Sequence, residues 1–167
     1  MPRRKPPPSD RPSLHLPRAG EGKRGEAGYL SYLLRQAAGV VRLSLERGLA
    51  EFGVTSAQFV VLTMADAYPG ASGADIARLA LLTPQTVHGI TANLESGGLL
   101  ARAPHPVHGR VQQFALTAKG RSLLARCRRT AHALDATLAE GLSASEEAVI
   151  RRWLVAQAVR GEGGGAD

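Results

Sequence analysis

The chain of 167 residues is poor in cysteine, in acidic side chains and in long apolar runs. A single thiol, Cys127, excludes an internal disulfide framework and any zinc site built from several thiolates. No stretch approaches 18 uncharged apolar residues, so no membrane-spanning helix and no membrane partner are expected. The start, Met1-Pro2-Arg3-Arg4-Lys5, has no apolar segment behind it. A secretory signal is therefore not expected, and the chain is placed in the cytoplasm. Catalytic patterns are missing too: no Ser-His-Asp order, no phosphate-cradling glycine loop and no paired buried carboxylates can be argued. An enzyme is not expected, nor is a cofactor. No internal repeat is visible.

The five histidines (His15, His88, His105, His108 and His132) include no pair at the i, i+4 spacing that sets two imidazoles on one helix face. His105 and His108 lie close on one loop, but a third ligand is not apparent, so no metal is expected. Cys127 is flanked by Arg126, Arg128 and Arg129, which would lower the thiol pKa if it were exposed. The default for it is a packed helix residue, and for the arginines a solvated face.

What is present is an ordinary globular balance of 44% apolar and 21% charged residues, enough for one domain with a sizeable core and tails. Lys and Arg number 21 against 14 Asp and Glu, a net charge of +7 that favours polyanionic partners. Residues 1–27 carry seven of the cations and three of the anions, so the basicity is concentrated there. Rich in Pro, Gly and Arg, this segment cannot recover its ordering entropy by burial and is expected to be a disordered basic arm. It either tracks phosphate or merely solubilises. Residues 161–167 are expected to be a flexible tail.

Between the tails the spacing is helical. Leu30, Leu33, Leu34, Ala37, Val41, Leu45 and Leu49 recur at threes and fours, predicting a helix over about 27–51. Thr55-Ser56-Ala57-Gln58 reads as a capping box opening a helix over 56–67, with Phe59, Val60, Leu62 and Met64 apolar. Tyr68-Pro69-Gly70 stops it. Ser72-Gly73-Ala74-Asp75 is a second box, starting a short helix to Ala80 with Ile76, Leu79 and Ala80 inward. Thr83-Pro84 then starts a helix that Gly97-Gly98 closes. Two short helices joined through Leu81, Leu82 and Thr83 have the dimensions of a helix-turn-helix.

On the second of these helices Val87, Ile90 and Leu94 form the buried stripe. The other side is assigned Gln85, Thr86, His88, Gly89, Thr91 and Asn93, which are short and nearly uncharged. A solvated helix would carry Glu and Lys instead. Gln and Asn can grip adenine N6 and N7, Thr can meet a thymine methyl, and Gly89 lets the backbone approach. Two strand-like runs, 99–102 and 111–116, follow as a hairpin whose tip holds Arg110, suited to a narrow minor groove. Arg102 and Lys119 flank it as candidate phosphate contacts.

Ile76-Ala77-Arg78-Leu79-Ala80, Thr83-Pro84-Gln85-Thr86-Val87, Leu94-Glu95-x-x-Gly98-Leu99-Leu100-x-Arg102, Gly109-Arg110 and Leu116-Thr117-x-x-Gly120 together resemble the MarR family of winged-helix transcription regulators over about residues 28–158. The resemblance implies a mainly α (α+β) fold: a winged helix-turn-helix with long N- and C-terminal dimerisation helices. The domain spans 28–160, with dimerisation helices at 28–51 and 118–160 and a DNA-binding lobe at 55–117. It further implies a homodimer on a pseudo-palindromic operator, associated with the nucleoid and relieved of repression by a small, often aromatic, ligand. The family usually has an aspartate two residues before the wing arginine; here His108 stands there, able to contact phosphate when protonated or to leave Arg110 less well held. Family members that sense peroxide carry their cysteine near the first helix, where this chain has none.

A long helix from Ala118 to Glu140 and a last one opened by Ser143-Ala144-Ser145-Glu146 complete the chain. Val149, Ile150, Trp153, Leu154 and Ala158, with Leu30, Leu33 and Leu34, are the natural dimer surface, and Trp153 is expected to be core. Candidate effector-pocket residues are Tyr29, Tyr32 and Leu33 on the first helix and Phe59 and Met64 on the second. Thr83, Arg102, His108 and Arg110 join the recognition-helix residues as expected contacts to double-stranded DNA. Two readings remain open: a ligand-responsive repressor reading a specific operator, or a basic module that binds DNA without sequence choice. The uncharged recognition face favours the first. The departure at His108 slightly favours a third, a protein-interaction domain that has lost DNA binding.

Overall fold

The computed structural model describes residues 16–104 and 112–163. Among them run α1 (Leu30–Ala50), α2 (Ser56–Ala67), α3 (Gly73–Ala80), α4 (Pro84–Ser96), β1 (Leu100–Pro104), β2 (Gln112–Leu116), α5 (Ala118–Ala139) and α6 (Ala144–Gly163). Residues up to Val40 and those from Val41 onward form two compact units, and α1 contributes to both.

In the first unit, part of the segment expected to be a disordered arm is a turn. A 3-10 turn at Gly22–Arg24 is tied by Arg18 N–H donating to Glu21 and by the Arg24 guanidinium donating to the Pro17 carbonyl at 3.0 Å. The Gly28 amide donates to Gly25 O at 2.8 Å. These turns hold the backbone until Tyr29, so α1 begins at Leu30 rather than near 27. Residues 1–15 lie outside the described ones.

In the second unit the helix starts are local chemistry. Thr55 accepts from the Gln58 amide while the Gln58 side chain accepts from Thr55 N–H, and Ser72 with Asp75 does the same for α3. Ser143 and Glu146 repeat the exchange ahead of α6. Each box satisfies two amides that a helix end otherwise leaves unpaired. Thr83 caps α4 with Pro84 behind it, and Thr117 caps α5.

The strands pair antiparallel, Leu100 opposite Leu116 and Arg102 opposite Phe114, and Ser72 bridges to Gln113 on the outer side of β2. The hairpin thus rests against the start of α3. The main core gathers Val61, Leu62 and Ala65 of α2, Ile76 and Ala77 of α3, Val87 and Leu94 of α4, Leu100, Phe114 and Leu116 of the strands, and Leu124 of α5. Val61 and Ala65, rather than Val60 and Met64, are buried with Leu62. Each large side chain removed from water here contributes about 1.5–3 kcal/mol, which fixes three helices, the hairpin and α5 as one lobe. A second cluster joins Leu49, Val54 and Cys127.

Cys127 is buried, and burial pushes its thiol above the ordinary value, against the smaller opposing pull of Arg126. The neighbouring arginines are not a plain solvated face. Arg126 stands over the Phe52 ring at 4.8 Å, and Arg128 pairs with Asp66 of α2 at 2.7 Å. Among the described residues of α6 none is buried; Trp153, expected in the core, is 38% exposed, with Val149, Ile150 and Leu154 exposed beside it.

Candidate nucleic-acid interface

α4 runs from Pro84 to Ser96 and buries Val87, Thr91 and Leu94, with Ile90 half-buried. Thr91 is therefore a correction. It is 1% exposed, and its hydroxyl donates to His88 O at 3.1 Å, so it belongs to the core face and not to the outer one. A threonine satisfied by its own helix presents only a methyl group to the core. Gln85, Thr86, His88, Gly89 and Asn93 are exposed as expected.

Ala92 and Ser96, beyond the six residues that the sequence assigns to that side, are exposed as well. Gln85, Gly89, Ala92 and Ser96 follow the i, i+4, i+7, i+11 progression of one helix line. That spacing was available in the sequence, but an alanine carries no polar signal to mark it. The outer line is thus small, uncharged and smooth. Added at Gly89, a Cβ would meet nothing within 4 Å.

The polar groups at the helix start are partly engaged. Thr83 Oγ1 accepts the Thr86 amide at 3.1 Å and lies 2.7 Å from Thr86 Oγ1. Asn93, expected to grip a base, has its Oδ1 taken by the Gln58 side-chain amide at 2.9 Å.

The far end of α4 is held by three side chains, one from β1 and two from the start of α5. Arg102 on β1 forms a paired contact with Glu95, its Nε donating at 3.0 Å, and its guanidinium stands 5.5 Å from the centre of the Phe114 ring. The Glu95 carboxylate raises the Arg102 pKa above its ordinary value. Lys119 donates to Gly97 O at 2.8 Å, closing the helix end, and the Thr117 hydroxyl donates to Gly98 O at 2.7 Å. Gly98 takes the left-handed conformation, φ 69°, that ends the helix and turns the chain into β1. Arg102 and Lys119, expected on phosphate, thus brace the recognition helix, because the hairpin and α5 bring Glu95 and the Gly97 carbonyl within their reach.

His88, Thr91 and Arg102 line one cleft of about 360 Å³ with Ser72, Gln112 and Phe114. A larger cleft, about 1080 Å³, lies between the 68–71 loop and α3, walled by Tyr68, Leu79, Leu81 and Leu82, with Thr83 also lining it. Phe59 and Met64 are not among its walls; both pack against the main core. Tyr29, Tyr32 and Leu33 belong to the N-terminal unit, where Lys23 stands over the Tyr29 ring and Arg35 over that of Tyr32. His108 and Arg110, with His105 and Val111, lie outside the described residues. Among the described residues there is no group of three potential metal ligands, and no helix is long and apolar enough to cross a membrane.

A short helix, a left-handed turn and a second helix backed by a two-stranded wing form a winged helix-turn-helix. Known proteins share it. The sequence profile of the MarR family matches residues 52–111. The HTH-type transcriptional repressor Rv2887 of Mycobacterium tuberculosis is 35% identical over 125 residues, covering 75% of this chain and 90% of the relative. The crystal structure of that MarR family protein in complex with p-aminosalicylic acid superposes with a TM-score of 0.64 at 32% identity, over 78% of this chain and 99% of the other. The transcriptional repressor CouR, bound to a 23-mer DNA duplex, superposes with a TM-score of 0.73 at 30% identity, over 82% and 96% of the two chains. With a relative of that identity matched over nine-tenths of its length and the family profile matched on the same lobe, this chain belongs to the MarR family.

Proposed function

We propose that the chain is a DNA-binding transcription regulator: a homodimeric repressor of a pseudo-palindromic operator, released by a small aromatic acid. It acts in the cytoplasm, on the nucleoid, and has no catalytic role. The observation that carries this reading is the outer line of α4. It is exposed, uncharged and braced at its far end by Arg102, Lys119 and Thr117. A helix that binds phosphate without sequence choice gains from Lys and Arg; short amides and methyl groups gain only by meeting base edges.

The open stripe on α6 speaks for the homodimer. Val149, Ile150, Trp153 and Leu154 expose apolar area that a second copy would remove from water. Two recognition helices then enter successive major grooves, with half-sites about one helical turn apart, roughly 34–36 Å. The aromatic acid bound by the Mycobacterium relative supports the choice of effector class. Such a ligand shifts the equilibrium only by fitting one arrangement of the recognition helices better than another.

Selection of bound sequences from a random duplex pool at two salt concentrations tests the reading. The expected result is a two-fold symmetric site preferred over random duplex by roughly 10³-fold or more. A pool that stays random, with affinity set by salt alone, sinks the reading in favour of a non-specific basic module.

A further inference from the structure

We propose that Gln58, at the start of α2, is a positioning residue for the recognition helix, acting through Asn93. The proposal rests on the DNA-reading role of α4 and adds a residue to it. Gln58 uses both ends of its amide. Its Oε1 accepts the Thr55 amide at 3.0 Å, completing the capping box, and its Nε2 donates to Asn93 Oδ1 at 2.9 Å. An end-for-end flip would set a donor against the Thr55 N–H, so the cap fixes which atom faces α4.

The first turn of α2 is itself anchored. The Ser56 hydroxyl donates to Glu46 Oε1 on α1 at 3.2 Å, and the same oxygen takes Arg42 at 2.7 Å. Polar side chains therefore link the second half of α1, the first turn of α2 and the flank of α4. Asn93 stands about 80° round the helix from Gln85, at 3.6 residues per turn, on the side that meets α2. With its Oδ1 engaged by Gln58, Asn93 is held toward α2, and a paired contact to adenine would have to share that oxygen. Its role is to set the rotation of α4, and with it where Gln85, Gly89 and Ala92 point.

The experiment takes the operator from the pool selection and measures the affinity ratio of operator to random duplex, with the full base-preference profile, for five variants of the whole chain. Gln58→Ala and Asn93→Ala are each expected to lower the ratio about fivefold, the loss of roughly one hydrogen bond, and the double variant to fall no further than either alone. Asn93→Asp, whose carboxylate still accepts from Gln58, keeps the wild-type profile while affinity drops evenly across sequences. Thr55→Ala weakens the cap but leaves the amide bridge, and keeps the wild-type ratio with a lowered Tm.

Three results overturn the proposal. Losses that multiply in the double variant show that the two residues act independently. A change of preference at one operator position in both Asn93 variants, with Gln58→Ala unaffected, makes Asn93 a base reader. A ratio in Thr55→Ala as low as in Gln58→Ala assigns the effect to the helix start. A wild-type chain with no preferred duplex removes the DNA-reading role itself, an outcome separate from these three, and the proposal falls with it.

Discussion

Gly120, in the first turn of α5, lies so close to Leu99 that a Cβ on it would stand 2.1 Å from the Leu99 carbonyl oxygen. The peptide linking the recognition helix to the wing is thereby seated on the start of the long helix, beside the Lys119 and Thr117 contacts. Gly120→Ala is expected to destabilise the chain. Overpacking against backbone costs about 1–3 kcal/mol, enough to outweigh the gain of about 1 kcal/mol from replacing a helical glycine. Thermal denaturation gives the answer, and an unchanged Tm would show that Leu99 can move aside freely.

Gly89 has the opposite surroundings, with nothing within 4 Å of an added Cβ. Gly89→Ala is expected to stabilise the free protein by about 0.5–1 kcal/mol, since a mid-helix glycine carries that penalty. The same methyl group stands on the line offered to the duplex, so operator affinity is expected to fall. Denaturation and binding measured together test this. A stabilised variant that binds as well as wild type would remove Gly89 from the contact surface.

Leu81, in the turn between α3 and α4, has φ 53° and is 78% exposed. A left-handed residue with a Cβ costs about 1–2 kcal/mol, and little burial offsets it here. Leu81→Gly is expected to raise stability by about 0.5–1 kcal/mol after the greater freedom of glycine in the unfolded chain is subtracted. A lower denaturation midpoint would mean that the Leu81 side chain contributes more than its exposure suggests.

Two substitutions separate base reading from phosphate attraction. Gln85→Ala is expected to relax preference at one position of each half-site, whereas Arg110→Ala weakens binding about evenly across sequences and reduces the salt slope by about one. A binding-site profile identical to wild type in Gln85→Ala would show that the helix start makes no base contact.

Acid should loosen the helix starts. The Ser72 hydroxyl and amide, with Arg78, hold Asp75 below its ordinary value of 3.8, and Ser143 holds Glu146 below its ordinary 4.5. A carboxylate with a lowered pKa in the folded state binds fewer protons than in the unfolded one. Its contribution is therefore complete above the unfolded value and is lost as the pH falls through the folded one. Stability is expected to fall below about pH 4.5, and less steeply in Asp75→Asn, followed by denaturant titration at several pH values.

The starts of α2, α3, α4 and α6 were legible because a cap involves residues three apart, and Thr55 with Gln58 or Ser72 with Asp75 carry the whole exchange within one turn. The ends of α4 and the pairing of the strands followed from Gly97-Gly98 and the short apolar runs. Other features were not legible. Gly25 and Gly28 delay α1 through backbone bonds that composition does not announce. Thr91 looks like any polar residue of α4 until the core closes over it. Arg102 and Lys119 have the charge of phosphate contacts, but Glu95 and the Gly97 carbonyl claim them.

From the sequence alone come the helix starts, the apolar stripes and an uncharged face on one short helix, since these depend on neighbours within a turn or two. Which polar groups of that face remain free was decided only by the tertiary structure. A long or flexible polar side chain takes the partner that a distant element delivers to it, and Gln58, Arg102 and Lys119 reach α4 from three different elements.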